Sequence, residues 1–101
     1  HEYLAVFQKV SLFPKGHYNL GNYYLNKKEY EKAKRELLIA TTQDPNFSDA
    51  HNNLGTIFGL MKDYQKAEIS FLKALEINPK NLKAKNNLEK LQGMISSAEV
   101  P

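Results

Sequence analysis

Apolar residues recur along this 101-residue chain at the spacing of helical turns, and the whole pattern returns after 34 residues. Leu20 and Tyr24 lie four residues apart and therefore share one helical face, and Leu54 and Phe58 repeat the pair one period later. Because a second segment of helical spacing follows within each period, the pattern predicts two helices per unit and an all-α fold.

The second helix of each unit is predicted to begin near Tyr30 and near Tyr64. Pro45 and Pro79 follow these helices and end them, because proline disfavours the helical conformation of the residue before it and supplies no backbone N–H. Small residues seven positions apart on each second helix point the same way. They are Ala33, Ala40, Ala67 and Ala74.

Each first helix carries a glycine directly after its leucine, at Gly21 and at Gly55. A glycine inside a helix costs about 1 kcal/mol relative to alanine. The sequence therefore predicts that these glycines allow a close approach of the second helix, with glycine on one helix facing alanine on its neighbour.

Residues 14–47 and 48–81 agree at eleven of 34 aligned positions, which chance does not produce. Other positions are filled by similar residues, such as Tyr24 and Phe58. The identical pairs are His17/His51, Asn19/Asn53, Leu20/Leu54, Gly21/Gly55, Lys28/Lys62, Tyr30/Tyr64, Lys32/Lys66, Ala33/Ala67, Leu38/Leu72, Ala40/Ala74 and Pro45/Pro79.

Two flanking segments continue the pattern in part, so that residues 1–101 form one domain. Residues 1–13 are predicted to form a helix, either an N-terminal cap or the stump of a preceding repeat. Residues 82–95 are predicted to form a C-terminal capping helix with an apolar stripe that includes Leu82 and Leu88, and residues 96–101 a tail. Glu89 replaces the glycine there, as expected where no second helix approaches.

Composition narrows the function classes. The chain has no cysteine, which excludes disulfides, thiol catalysis and cysteine-based zinc sites. No apolar run approaches the roughly 20 residues of a membrane-spanning helix, so we predict no membrane insertion by this fragment. The chain lacks an initial methionine, and we expect it to be a piece of a longer protein.

The net charge of +3 comes largely from lysines near the C-terminus. Nucleic-acid sites combine such lysines with arginine and stacking aromatic residues, and this stretch has neither. A solvated helix face is therefore predicted, with no nucleic-acid partner. The lysines are Lys80, Lys83, Lys85 and Lys90.

No set of residues in the sequence predicts catalysis, a metal or a cofactor. His17 and His51 occupy the same repeat position, where they are predicted to pack between helices. A metal site would require a carboxylate or a third histidine in register with them, and none is present. We therefore predict that this fragment is not an enzyme.

The repeated positions resemble the tetratricopeptide repeat, whose 34-residue pattern is W-x2-L-G-x2-Y…A-x3-F…P. His17-x2-Leu20-Gly21-x2-Tyr24 opens one unit, and the same spacing returns from His51 to Phe58. Ala33-x3-Leu37 and Ala67-x3-Phe71 fill the next part of the pattern. The departures are histidine for tryptophan and Leu37 for an aromatic residue. The resemblance implies a solenoid of helical hairpins with two full repeats plus flanking helices.

Asparagine recurs on the first helices, at Asn19, Asn53 and Asn87, and the preceding position holds Tyr18, Asn52 and Asn86. One side-chain amide offers a donor and an acceptor, which match one peptide unit. The first row is similar to the asparagine ladder of the O-linked N-acetylglucosamine transferase family. That resemblance implies contacts with an extended peptide from Asn19, Asn53 and Asn87. The alternative is that these amides bond between neighbouring helices.

A second resemblance, to the carboxylate clamp of chaperone-binding tetratricopeptide proteins, is partial. That clamp implies contacts at Tyr18, Asn22, Asn53, Lys83 and Asn87. Asn22, Asn53 and Lys83 have the residue types of the clamp, whereas Tyr18 and Asn87 stand where basic residues are expected. Lys15 and Lys83 still favour an acidic peptide.

These patterns predict a protein-interaction module that binds an extended peptide or partner protein on its concave face. The predicted contacts are Tyr18, Asn19, Asn22, Asn52, Asn53, Lys83, Asn86 and Asn87. Two alternatives remain open: a docking or spacer region of a larger enzyme or membrane protein, such as a glycosyltransferase, and self-association through the end helices.

Overall fold

The computed structural model describes residues 13–99, and that part of the chain forms five α-helices joined by short turns. The helices form two antiparallel hairpins, α1 with α2 and α3 with α4, followed by the single helix α5. The predicted all-α repeat fold is confirmed. The bounds are α1 Pro14–Asn26, α2 Tyr30–Gln43, α3 Ser48–Leu60, α4 Tyr64–Ile77 and α5 Leu82–Glu99.

The two hairpin turns are the same. Lys28 and Lys62 both adopt left-handed backbone conformations, with φ of 62° and 66°. The following residues, Glu29 and Asp63, donate their backbone N–H groups back to Tyr24 and Phe58. These bonds satisfy carbonyl groups at the helix end and reverse the chain, so that the second helix packs against the first.

The core lies between the hairpins and is built largely from alanine and leucine. Ala33, Leu37 and Ala40 of α2 have no exposed surface and pack against Ala50 and Ile57 of α3. A second cluster joins α4 to α5 through Ala67, Phe71, Leu88 and Leu91. The alanines predicted to share a face are therefore all buried, where their small side chains allow helices to approach closely.

The glycines approach large side chains most closely, and of the alanines that we predicted only Ala33 is near, with its backbone oxygen 3.4 Å from a Cβ atom placed on Gly21. A Cβ atom placed on Gly21 would lie 2.7 Å from Cγ of Leu37. A Cβ atom on Gly55 would lie 2.7 Å from Cδ1 of Phe71. The prediction of close packing was right, but the residues that need the space are Leu37 and Phe71.

Helix α5 has one buried and one exposed face. Leu88 and Leu91 are buried against α4, whereas Glu89 and Gln92 are exposed at positions where the two repeats carry glycine and an aromatic residue. Leu82, which we placed on the apolar stripe, is 68% exposed at the helix start.

The ends of the domain differ from the sequence boundaries. Helix α5 continues to Glu99 instead of ending at residue 95. At the other end, the helix predicted for residues 1–13 lies outside the described residues except for Phe13. Phe13 has an extended backbone and precedes α1, whose first residue is proline.

A buried asparagine fastens α5 to the second repeat. The side-chain oxygen of Asn81 accepts from the backbone N–H of Ala84 and so caps α5. Its amide nitrogen donates to Ser48 at 2.9 Å and to Asp49 at 3.2 Å. Ser48 in turn donates to the carbonyl of Ala74. One side chain thus connects the start of α5 to α3 and, through Ser48, to the end of α4.

Replacing Asn81 with alanine is expected to lower the free energy of unfolding by about 2 kcal/mol, because it removes a helix cap and partners of buried polar groups. Chemical denaturation monitored by circular dichroism would measure the change. Asn26→Ala, at an exposed position, is the matched control and should stay within about 0.5 kcal/mol of the native value. Equal effects of the two substitutions would contradict the role assigned to Asn81.

Candidate functional site

The first helices of the repeats, α1, α3 and α5, lie side by side, with α3 in contact with both others. Together they carry all eight of the predicted binding residues. We call the surface that these residues form the first-helix surface. Its members are Tyr18, Asn19 and Asn22 on α1, Asn52 and Asn53 on α3, and Lys83, Asn86 and Asn87 on α5.

Four of these asparagines form a continuous chain of hydrogen bonds across the three helices. Asn87 donates from Nδ2 to Oδ1 of Asn52 at 2.9 Å. Asn52 donates to Oδ1 of Asn53 at 3.2 Å, and Asn53 donates to Oδ1 of Asn22 at 2.6 Å. We call Asn22, Asn52, Asn53 and Asn87 the amide relay. The interhelical bonding that the sequence left as an alternative is therefore present.

The other predicted asparagines lie outside this relay. Asn19 and Asn86 are exposed, and within residues 13–99 no hydrogen bond connects either side chain to the relay. The row of Asn19, Asn53 and Asn87 is thus uneven, because its last two members are half-buried and bonded to neighbours. Of these three amides, that of Asn19 is exposed, and those of Asn53 and Asn87 are already hydrogen-bonded to other asparagines.

Tyr18 contacts an aromatic residue that the sequence reasoning missed. The ring centroids of Tyr18 and Phe47 are 4.8 Å apart, with a tilt of 34°. Phe47 directly precedes α3, and both residues are half-buried. Their contact places an aromatic pair beside the amide relay, at the position where a clamp would have a cation. The one feature of the sequence that could have indicated Phe47 is its place as an aromatic residue directly before the second repeat.

One repeat position on the first helices carries charged residues of both signs. Lys15 of α1 and Lys83 of α5 share this position with Asp49 of α3, and all three residues are exposed. Asp49 also accepts a hydrogen bond from Asn81. This repeat position therefore carries two lysines and one carboxylate.

The two repeated histidines have different partners. His17 is 8% exposed and its Nδ1 donates to Oε1 of Glu36 on α2 at 2.7 Å. His51 instead donates from Nε2 to the carbonyl of Pro45 at 3.0 Å. The difference arises because position 36 corresponds to Ser70 in the second repeat. Both histidines therefore hydrogen-bond to neighbouring protein groups, and the side chains described for residues 13–97 include no group of three His, Cys, Asp or Glu placed to hold a metal.

Within the described helices, none is both long enough and apolar enough to cross a membrane.

Comparison with protein families decides the fold assignment. A family model described as "Tetratricopeptide repeat" matches residues 48–81, and a second with the same description matches residues 14–47. The chain belongs to the tetratricopeptide repeat (TPR) family. The boundaries of the two matched TPR units are those that the internal repeat predicted. These repeats are protein-interaction elements, and neither match is to a catalytic family.

Solved structures with the same arrangement are also TPR domains. The TPR domain of Sgt2 from Aspergillus fumigatus is 28% identical, with a TM-score of 0.82 over 87% of this chain and 60% of that one. The second TPR domain of human RPAP3, in complex with the HSP70 peptide SGPTIEEVD, is 25% identical, with a TM-score of 0.76 over 79% of this chain and 67% of that one.

A third TPR structure supports the fold alone. It is the first TPR of Spaghetti (RPAP3) bound to the HSP90 peptide SRMEEVD, which is 20% identical with a TM-score of 0.79, over 82% of this chain and 66% of that one. The present chain thus spans about two thirds or less of the length of these neighbours. No curated protein sequence matches it significantly.

Proposed function

We propose that this TPR domain binds an extended peptide segment of a partner protein across its first-helix surface, through side-chain amides. The observation that carries the proposal is the amide relay, which holds asparagines of three helices in one connected row. A primary amide has two N–H groups and an oxygen with two lone pairs, so one bond to a neighbour leaves capacity for a ligand.

The structural neighbours support a protein partner. The human RPAP3 domain, at 25% identity, is described with an acidic chaperone peptide. In the present chain Lys83 supplies one of the cations that an acidic peptide would meet, while Tyr18 and Asn87 supply none. Charge-assisted hydrogen bonds are about twice as strong as neutral ones, but two of the positions where the clamp resemblance implies cations hold none. We therefore infer that neutral amides contribute most of the recognition and that acidic character in the peptide contributes less.

The competing interpretation is a docking or spacer region of a larger enzyme or membrane protein. The amide relay also supports this interpretation, because amides that hydrogen-bond to one another need no ligand as a partner. In that case the asparagines serve only to join the first helices, and the chemistry lies in another part of the protein. We propose no catalytic role, metal or cofactor for this domain itself.

A peptide selection separates these functions. A random library of 12-residue peptides displayed on phage would be panned against the native domain, and the selected peptide would be titrated by calorimetry. We expect the triple variant Asn19→Ala, Asn53→Ala, Asn87→Ala to bind this peptide about 100-fold more weakly, the equivalent of losing three ordinary hydrogen bonds.

The control removes the same number of amides from exposed positions outside the first-helix surface. It is the triple variant Gln43→Ala, Gln65→Ala, Gln92→Ala, which should bind like the native domain. Circular dichroism checks that both variants keep their helical content. Unchanged affinity in a folded asparagine variant would show that the amides only join helices, and would favour the spacer interpretation.

A further inference from the structure

Asn52 differs from every other residue of the first-helix surface in its burial. It is 3% exposed, whereas its repeat counterparts are the half-buried Tyr18 and the exposed Asn86. A side chain buried this deeply has little surface to offer a peptide. Its inclusion among the direct contacts that we predicted from the sequence therefore needs a different explanation.

Both ends of the Asn52 amide are engaged by the asparagines that flank it. Its Oδ1 accepts from Asn87 on α5, and its Nδ2 donates to Asn53 on the same helix. Among the described side chains of residues 13–97, no buried nitrogen or oxygen lacks a hydrogen-bond partner. Asn52 is thus an interior member of the four-residue relay, bonded to Asn87 on one side and to Asn53 on the other.

Half-buried asparagines without such a partner can rotate about their terminal torsion, which is broad and nearly two-fold. A hydrogen bond inside the protein is stronger than one in water and fixes the partner in one orientation. Asn52 can therefore determine which edge of the Asn87 amide meets the solvent, and together with Asn22 it can determine this for the Asn53 amide. A ligand that binds two amides already held in place avoids the entropic cost of ordering them.

We propose that Asn52 is a positioning residue of the peptide site, which orients the amides of Asn53 and Asn87 without itself touching the peptide. This proposal rests on the proposed function. It predicts that loss of Asn52 affects the ligand through two other side chains, and that the effect is visible on those side chains before any peptide is added.

Two substitutions test the proposal. Asn52→Leu keeps the branched shape at Cγ and removes both hydrogen bonds. Asn52→Asp keeps an oxygen that can accept from Asn87 but loses the donor to Asn53. The amide groups of Asn53 and Asn87 would be followed by nuclear magnetic resonance, through the order parameters of their side-chain NH2 groups in the free protein.

In Asn52→Leu both order parameters are expected to fall, and the peptide selected by the native domain should bind about tenfold more weakly, as for loss of one to two hydrogen bonds. In Asn52→Asp the Asn87 amide should keep its order, because an oxygen still accepts from it, whereas the Asn53 amide, then held only by its bond to Asn22, should lose part of its order. This asymmetric result distinguishes positioning from general loosening of the core. Gln92→Leu removes an exposed amide of α5 that lies outside the first-helix surface. It should leave the order of the Asn53 and Asn87 amides and the affinity for the peptide unchanged.

Unchanged order of Asn53 and Asn87 in a folded Asn52→Leu variant would overturn the positioning role, and so would loss of order with unchanged affinity. If Asn52→Leu does not fold, the asymmetric prediction for Asn52→Asp decides alone. The proposed function fails separately: if the Asn19, Asn53, Asn87 triple variant binds as the native domain does, the site is not a peptide site and Asn52 positions nothing for a ligand.

Discussion

Replacing Gly55 with valine is expected to lower the free energy of unfolding by about 3 kcal/mol, a large fraction of the stability of a domain this small. A Cβ atom at this position would lie 2.7 Å from two atoms of the Phe71 ring. Phe71 is only 4% exposed and packs with Ala67 and Leu88, so its ring has no room to move away. Thermal and chemical denaturation followed by circular dichroism would measure the loss.

The matched control is Gly93→Ala on α5. Nothing lies within 4 Å of a Cβ atom built there, and the residue is exposed. Because glycine is unfavourable inside a helix, this substitution should raise the stability by about 1 kcal/mol. Opposite signs at the two glycines would confirm that Gly55 is needed for the approach of Phe71. A stability of Gly55→Val equal to that of the native domain would contradict the packing described.

The double variant Tyr18→Lys, Asn87→Arg is expected to bind the acidic peptide SGPTIEEVD on the order of 100-fold more tightly than the native domain does. The two substitutions place basic residues at the positions where the clamp resemblance implies them, beside Asn22, Asn53 and Lys83. Each new cation adds charge-assisted hydrogen bonds to carboxylates. The gain is limited because the variant loses the Tyr18–Phe47 contact and the bond from Asn87 to Asn52.

Isothermal titration at two salt concentrations would measure this gain, which should shrink as salt screens the charges. The control carries the same added charge on exposed residues outside the first-helix surface, as Gln43→Lys, Gln92→Lys. It should change the affinity for the peptide by much less than the double variant. Equal affinities for the two variants would show that positions 18 and 87 do not meet the peptide's carboxylates.

The repeat structure could be predicted from the sequence because each helix pair repeats the same local chemistry. Gly21 and Gly55, the buried alanines, and Pro45 and Pro79 recur after 34 residues, and each repeat contacts only the repeats next to it. The fold, the two repeat boundaries and the close packing at glycine followed from these positions.

Details at the ends of the array were less predictable, because a repeat pattern assumes a neighbour on both sides. Leu82 occupies the place of Ser48 one repeat later, yet it is 68% exposed. Helix α5 runs to Glu99, beyond the point where the apolar stripe weakens. Both the first and the last turn of α5 thus depart from the pattern that the two repeats share.

The residues of the first-helix surface could be named from the sequence, but their contacts were decided by tertiary structure. Asn19, Asn53 and Asn87 are equivalent in the repeat, and only two of them enter the amide relay. Asn52 was predicted as a direct contact and is buried. The bonds that make this difference connect residues 31 and 35 positions apart, on different helices.

The sequence by itself thus determined the helices and their pairing, because these depend on the periodicity of apolar and small residues. The tertiary structure alone decided which amide bonds to which, and that Tyr18 meets Phe47. The physical reason is that side-chain hydrogen bonds and ring contacts depend on the distances and angles between helices. Equivalent positions in a repeat have different neighbours when one lies in the middle of the array and another lies at its end.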